Sequence, residues 1–351
     1  MFYRDYLEPF YRTGRMFRES VLFWKENGES WAELRFKPKK IIECLTSDER
    51  TEFLEGKDFL VEGRKIIALS GKIPAISSEE YRGEKADEQQ REDMRRYGIK
   101  GPLYSESFFI DRQVVFSYEY ATERENIKTE DLRAGKLHET EKKLRQGKIK
   151  AVLYGDSISV GCTSSGYMNK PPFLPNWFTL FTGALQELYG TVIAAINASE
   201  SGMTSEWGVN YMKDRLPQDA DLYIFAWGMN DGTSRISPER YEENIRKMIL
   251  YTDRKTTEYI LISPMIPNPD AELTDGKKFL GEQEEYIDRL YNFFSPRIAI
   301  SNMTDFHKRL LVHKKYCDIT GNNINHPNDF LSRMYAVNLL EIFEKFKGEY
   351  I

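Results

Sequence analysis

Four short clusters of small and polar residues stand out along the chain: Gly155-Asp156-Ser157-Ile158-Ser159, Asn197-Ala198-Ser199-Glu200-Ser201-Gly202, Gly228-Met229-Asn230-Asp231 and Asn325-His326-Pro327-Asn328-Asp329. Their residue types suit acyl transfer. A serine hydroxyl becomes nucleophilic when a base takes its proton, and the oxyanion that follows needs N–H donors aimed at it. Taken one at a time, each of the first three is more ordinarily a helix cap or a turn, and a lone late His is ordinarily a surface or satisfied residue. A second group, His307, His313 and Cys317, lies within one stretch. Its spacing fits no common zinc motif, and His307 and His313 do not share a helix face at i, i+4. That stretch reads as a solvated helix, so no metal and no cofactor are expected.

The elements that must position these residues fall into two rhythms. In the first third, Ala32, Leu34 and Phe36 alternate with charged residues, and Asn27-Gly28 is a hairpin signal joining them to Val21–Trp24. Further strands are predicted at Lys40–Leu45, Asp58–Val61, Lys65–Leu69 and Val114–Tyr120. Short strands with frequent turns predict a β-sandwich or jelly roll. The charged stretch Ser77–Tyr97 reads as a long excursion or a surface helix, and Asp87–Arg96 within it as a solvated face. Thr129–Gln146, closed by Gly147, predicts a helix.

From there on, apolar strand-like runs alternate with helical periods. Strands are predicted at Lys150–Tyr154, Thr191–Ile196, Asp221–Trp227, Glu258–Ser263 and Arg297–Ser301. Core-facing helix positions are Tyr241, Ile245, Met248 and Ile249, then Ile287, Leu290, Tyr291 and Phe294, then Ala336, Leu339, Leu340 and Phe343. Five βα units predict an α/β fold, a parallel five-stranded sheet between helices, with ligands at the carboxyl ends of its strands. Three clusters lie at such ends, and the fourth precedes the last helix. The expected division is a β-sandwich over 1–125, a helical linker over 126–148 and the α/β unit over 149–351.

Composition excludes several classes. Lys and Arg number 50 against 55 Asp and Glu, a net charge of −5, which lacks the basic excess of a nucleic-acid binder. No apolar run reaches the length of a membrane span, and the first residues are charged and aromatic, unlike a signal peptide, so a cytoplasmic protein with no membrane partner is expected. Cys44, Cys162 and Cys317 are scattered and form no CxxC pair, which predicts reduced, structural thiols.

Together the four clusters resemble the sequence blocks of the SGNH hydrolases, also called the GDSL family, in the family's order and over Ala151 to about Ala336. The resemblance implies a flavodoxin-like domain with Ser157 as nucleophile and His326 as its base. It also implies an oxyanion hole from the Ser157 and Gly202 backbone N–H groups and the Asn230 side-chain amide. One position departs: where the family usually carries an Asp three residues before the His, this chain has Asn323. Asp318 and Asp329 are the candidate replacements. The resemblance to carbohydrate esterase family two, which joins an N-terminal jelly roll to an SGNH domain, implies instead a Ser-His dyad whose His is held by a backbone carbonyl.

The expected activity is a serine esterase that removes small acyl groups, acetyl above all, from carbohydrate. An acetylated oligosaccharide or another small ester is the expected partner. The alternatives are a lipid or thioester hydrolase on the same fold, or a carbohydrate-binding protein with a degenerate esterase site. Trp227, directly before the third cluster, reads either as a stacking surface for a sugar or as packing in the sheet. With a base near the pKa of a model His, activity should fall below about pH 6 to 6.5.

Overall fold

A computed structural model describes residues 3–121, 132–133 and 137–349. Among the described residues of the first third there are eight strands: β1 (Arg15–Glu26), β2 (Glu29–Glu33), β3 (Pro38–Thr46), β4 (Phe59–Glu62), β5 (Lys65–Ala68), β6 (Ala75–Ile76), β7 (Ile99–Gly101) and β8 (Gln113–Tyr120). Seven of them, all but β7, form one curled sheet in the order β3-β8-β1-β2-β5-β4, antiparallel except for β6, which runs parallel to β1. The predicted Asn27-Gly28 turn sets the β1–β2 register: both residues have positive φ, 52° and 82°. Such a two-residue turn matches the strand twist and brings Trp24 opposite Trp31.

The charged stretch after β6 is both an excursion and helical. Capping boxes at Ser77/Glu80 and Asp87/Gln90 start the helices Ser78–Tyr81 and Glu88–Arg96. The chain then enters β7, which pairs outside the curled sheet.

After the first third come β9 (Leu132–Arg133), β10 (Lys148–Gly155), β11 (Val192–Asn197), β12 (Leu222–Ala226), β13 (Glu258–Ile262), β14 (Glu272–Leu273) and β15 (Ile298–Ser301). The sheet order is β11-β10-β12-β13-β15-β9. Its five parallel strands therefore run 2-1-3-4-5 in chain order, the flavodoxin-like arrangement whose ligand crevice opens at the carboxyl ends beside the first strand. β9 adds antiparallel to β15 at the edge. Of the helix predicted over Thr129–Gln146, His138–Gln146 forms. Residues 122–131 and 134–136, and with them most of the expected linker before that helix, lie outside the described residues.

Helices cover both faces of the parallel sheet. On one, Trp177–Tyr189 packs on Asp329–Leu340, with Trp177 and Tyr335 stacked at 5.8 Å between ring centres. This face belongs to an apolar core that continues through Leu153 and Ile224 into Phe23, Phe59 and Phe116 of the curled sheet. On the other, Tyr241, Ile245, Met248, Ile287 and Leu290 bury against Tyr223, Phe225 and Leu261, as their spacing predicted. Phe294 does not: its helix ends at Tyr291, about one turn before a Ser295-Pro296 step that disfavours helix, and the residue is 46% exposed. Among the described residues no helix is long and apolar enough to cross a membrane.

The expected solvated helix at His307 is also corrected. His307 lies on Met303–Leu311 and is fully buried, its Nδ1 accepting from the Ile266 N–H at 3.1 Å. Among the described residues no three His, Cys, Asp or Glu side chains gather as a metal-holding group. Cys44, Cys162 and Cys317 are all buried free thiols.

Candidate active site

The first cluster leaves β10 through a close approach that only glycine allows. A Cβ on Gly155 would lie 2.3 Å from the Ala226 carbonyl oxygen of β12 and 2.4 Å from Ser159 Oγ. Asp156 then caps the one-turn helix Ser157–Val160, its Oδ1 accepting from the Ile158 N–H at 3.0 Å. Ser157 thus stands at the carboxyl end of the first parallel strand. Burial pushes the Asp156 carboxyl up to about 7, with the charge of Asp231 adding to the shift.

The second cluster extends the pairing of β11 beyond its end. Ala198 N–H donates to the Leu153 carbonyl at 2.8 Å and Glu200 N–H to the Gly155 carbonyl at 3.0 Å, while Asn197 Nδ2 donates to the Ser159 carbonyl at 2.8 Å. The chain is thereby drawn alongside Ser157 and turns at Gly202, whose φ of 78° favours glycine. Open space surrounds the position of the missing Cβ, so the backbone angle, not crowding, selects the residue.

In the third cluster Asn230 uses one hydrogen of Nδ2 on the Met203 carbonyl at 2.9 Å, which fixes the amide and leaves its second N–H for another acceptor. Asp231 points the other way. It is fully buried, accepts from the Ser205 N–H at 3.0 and 3.1 Å and from the Ser205 hydroxyl, and so anchors the helix Ser205–Arg215. Burial pushes its carboxyl up to about 6.

His326 Nε2 lies 2.9 Å from Ser157 Oγ. The loop carrying it is held by Asn322, which sequence reasoning passed over: its Oδ1 accepts from the N–H groups of Ile324, Asn325 and His326, each at 3.0 Å. Gly321 N–H closes the loop on the His326 carbonyl at 2.9 Å. The curled sheet supports it from behind. Gln113 Nε2 of β8 donates to the carbonyls of Cys317 and Thr320 at 2.8 Å, and its Oε1 accepts from Asn328 Nδ2 at 2.9 Å.

Neither candidate carboxylate reaches the imidazole. Asp318 accepts from the Leu22 and Lys315 N–H groups, both at 2.8 Å, and Asp329 accepts from the Ser165 N–H at 2.8 Å. Asn323 also faces away, its Nδ2 on the Leu103 carbonyl at 3.3 Å and its Oδ1 on Asn268 Nδ2 at 3.3 Å. The expected backbone carbonyl is not there either: among the described residues His326 Nδ1 has no hydrogen-bond partner. The geometry is a Ser-His pair positioned by its loop.

Without a carboxylate, nothing offsets desolvation, and burial pushes His326 down to about 4. The ring stays neutral, hence able to accept a proton, well below the range of an ordinary His. The acid limb of kcat/KM should therefore fall as pH drops through about 4, in place of the pH 6 to 6.5 expected from the sequence. A pH–rate profile, with circular dichroism to check folding at each point, tests this, and an acid limb at about 6.5 would contradict it.

Ser157, Gly202, Asn230 and His326 line one cleft of about 570 Å³, within the range of small-molecule sites. Its outer wall comes from elsewhere. β7 pairs antiparallel with β14, Ile99 opposite Leu273, so the excursion from the curled sheet brings Tyr97, Ile99, Tyr104 and Glu106 to the cleft. Trp227 is not part of it. The indole is 1% exposed and packs edge-on against Tyr154 at 4.9 Å, so of its two readings the sheet packing is correct.

No family model matches the chain, and no curated protein matches its sequence. Among solved structures it is similar to a two-domain esterase active on acetylated mannans, at 19% identity and a TM-score of 0.49 over 63% of this chain and 56% of that one. It is also similar to a catalytic mutant of an acetylxylan esterase from Geobacillus stearothermophilus, at 16% identity and a TM-score of 0.45 over 57% and 97% of the two chains. A third is an α/β hydrolase enzyme from the metagenome of Lake Arreo, Spain, at 17% identity and a TM-score of 0.45 over 55% and 94%. The match spans little more than half the length of the two-domain esterase.

Proposed function

We propose that the protein is a serine esterase of the SGNH type that removes acetyl groups from carbohydrate. The observation that carries this reading is the 2.9 Å contact between Ser157 Oγ and His326 Nε2 at the carboxyl end of β10, in a cleft that Gly202 and Asn230 also line. In the reaction Ser157 Oγ attacks the acyl carbon as its proton passes to His326 Nε2, giving a tetrahedral oxyanion. The N–H groups of Ser157, Gly202 and Asn230 Nδ2 receive that charge. As the intermediate collapses the bond from the acyl carbon to the sugar oxygen breaks, that oxygen takes the proton from His326 and leaves as a hydroxyl, and an acyl-Ser157 ester remains, which water hydrolyses by the same steps with His326 again the base.

Carbohydrate as the alcohol is supported by the cleft mouth, where Tyr97 and Tyr167 are 49% and 56% exposed and offer ring faces and hydroxyls to a sugar. The division into a β-sandwich over 1–125, a linker over 126–148 and a catalytic unit over 149–351 belongs to the same proposal. The test is acetate release from a panel of acetylated oligosaccharides, run beside 4-nitrophenyl esters of increasing acyl length. Acetate should be the preferred acyl group. Preference for octanoate would support a lipid hydrolase instead, and no hydrolysis of either set would overturn the reading.

Asn230→Ala should lower kcat by about 100- to 1,000-fold with little change in KM, because the donor acts mainly on charge that develops in the transition state. Steady-state kinetics on 4-nitrophenyl acetate measure it. An equal rise in KM with kcat unchanged would remove Asn230 from the oxyanion hole.

A further inference from the structure

The cleft does not end at its aromatic rim. Tyr97, Tyr104 and Glu106 line it on one side and on the other line a second cleft of about 500 Å³, whose remaining wall includes Gln90, Ser105, Arg112 and Met168. Both volumes are of ligand size. The rings of Tyr97 and Tyr104 lie 5.0 Å apart at their centres and form the shared saddle, and the outer ring, Tyr97, is half exposed. The saddle is fixed in place. β7, directly after Tyr97, is paired with β14, Thr274 N–H donates to the Gly98 carbonyl at 2.8 Å, and Lys100 Nζ meets Glu272 at 3.1 Å.

The chemistry of the second cleft selects among possible occupants. Its wall is more polar than apolar, hydroxyls, side-chain amides and charged groups around Phe108 and Met168, so it suits a polar ligand better than an acyl tail. Four carboxylates, Asp87, Asp93, Glu106 and Asp111, line it against two guanidinium groups, Arg96 and Arg112; with Asp111 paired to Lys170 at 2.7 Å one negative charge is left in excess, which disfavours an anionic chain. A polar, uncharged, extended ligand with flat apolar faces fits both the hydrogen-bonding groups and the exposed ring.

We propose that the second cleft is a chain-binding subsite for neutral oligosaccharide. With the acetylated residue over Ser157, the neighbouring sugar residues cross Tyr97 and enter it. This rests on the esterase reading for the position of the acetylated residue, and it makes the charged excursion a specificity element.

The test is calorimetric binding of neutral oligosaccharides of one to five residues, prepared from cellulose, xylan and mannan, to the 351-residue chain and to its Tyr97→Ala and Tyr97→Phe variants. In at least one series Kd should tighten by about tenfold or more between one and four residues, the effect of gaining an aromatic anchor. Tyr97→Ala should erase that gain and Tyr97→Phe, which keeps the ring, should retain it. An oligouronate of the same length should show none. Affinity independent of chain length in every series, a gain that survives in Tyr97→Ala, or tighter binding of the oligouronate would each overturn the proposal. Hydrolysis of 4-nitrophenyl acetate is read separately. A protein that hydrolyses this ester but shows no chain-length gain loses the subsite and keeps the esterase reading, while one that binds chains and hydrolyses nothing keeps the subsite and loses the esterase.

Discussion

Ser157→Ala should lower turnover by about 10⁴-fold or more, with the fold intact. In the proposed reaction the side chain removed carries the attacking oxygen, and its hydroxyl contacts His326 at the carboxyl end of the strand rather than bracing the core. Alanine suits the first position of a short helix, and Asp156 still caps it from the preceding residue. The melting temperature should shift only by what one lost hydrogen bond contributes, about 1 kcal/mol. Substrate binding and the oxyanion donors remain, so the residual rate should stay above the uncatalysed one. Turnover of 4-nitrophenyl acetate and a thermal melt measure both parts. A folded Ser157→Ala protein with substantial activity would end the serine-esterase reading.

His326→Ala should produce a loss of similar size, because the nucleophile and its base act as one unit and removing either removes the proton transfer. The contrast with the nearby acids is what gives this prediction its content. In enzymes with a third, carboxylate member, neutralising that carboxylate can cost about 10⁴-fold. Here Asp318 and Asp329 are engaged with backbone N–H groups of Leu22, Lys315 and Ser165. Asp318→Asn and Asp329→Asn should therefore each retain activity within about tenfold, apart from lost stability, and Asn323→Ala should do the same, since its amide faces Leu103 and Asn268. Turnover of the four variants, each with a thermal melt, decides the matter. A loss of 10³-fold or more in a folded Asp318→Asn or Asp329→Asn protein would show that a carboxylate reaches the imidazole during turnover.

What the sequence made legible was local. The strand runs of the α/β unit and the four clusters at their ends are each set by neighbours within a few residues, and all four clusters meet in space. Gly155 is an instance: a glycine before Asp156-Ser157 needs a close backbone approach, and the Ala226 carbonyl supplies it. The misreadings concern groups whose roles depend on distant chain. Alternation in β12 does not say which face Trp227 takes at the strand's end, and packing against Tyr154 decided it. The run Asp87–Arg96 does carry the solvated face it reads as, but that the chain after it, from Tyr97 on, becomes a cleft wall depends on the pairing of β7 with β14, two segments far apart in the chain. Asn323 occupies the position of the family's usual Asp, whereas its neighbour Asn322 holds the loop by accepting three successive N–H groups. An Asn a few residues before a functional His was the available signal, but Asn is so common in turns that its type alone does not single it out.

The central claim is that Ser157 is the atom that takes the acyl group, and covalent trapping tests it most directly. A fluorophosphonate forms an Oγ–P bond with an activated serine as fluoride leaves, and intact mass spectrometry with peptide mapping locates the adduct. One adduct per chain on Ser157, formed at a rate that tracks loss of esterase activity and absent from His326→Ala, is the predicted result. An adduct on another residue, or full loss of activity with Ser157 unmodified, would contradict the account.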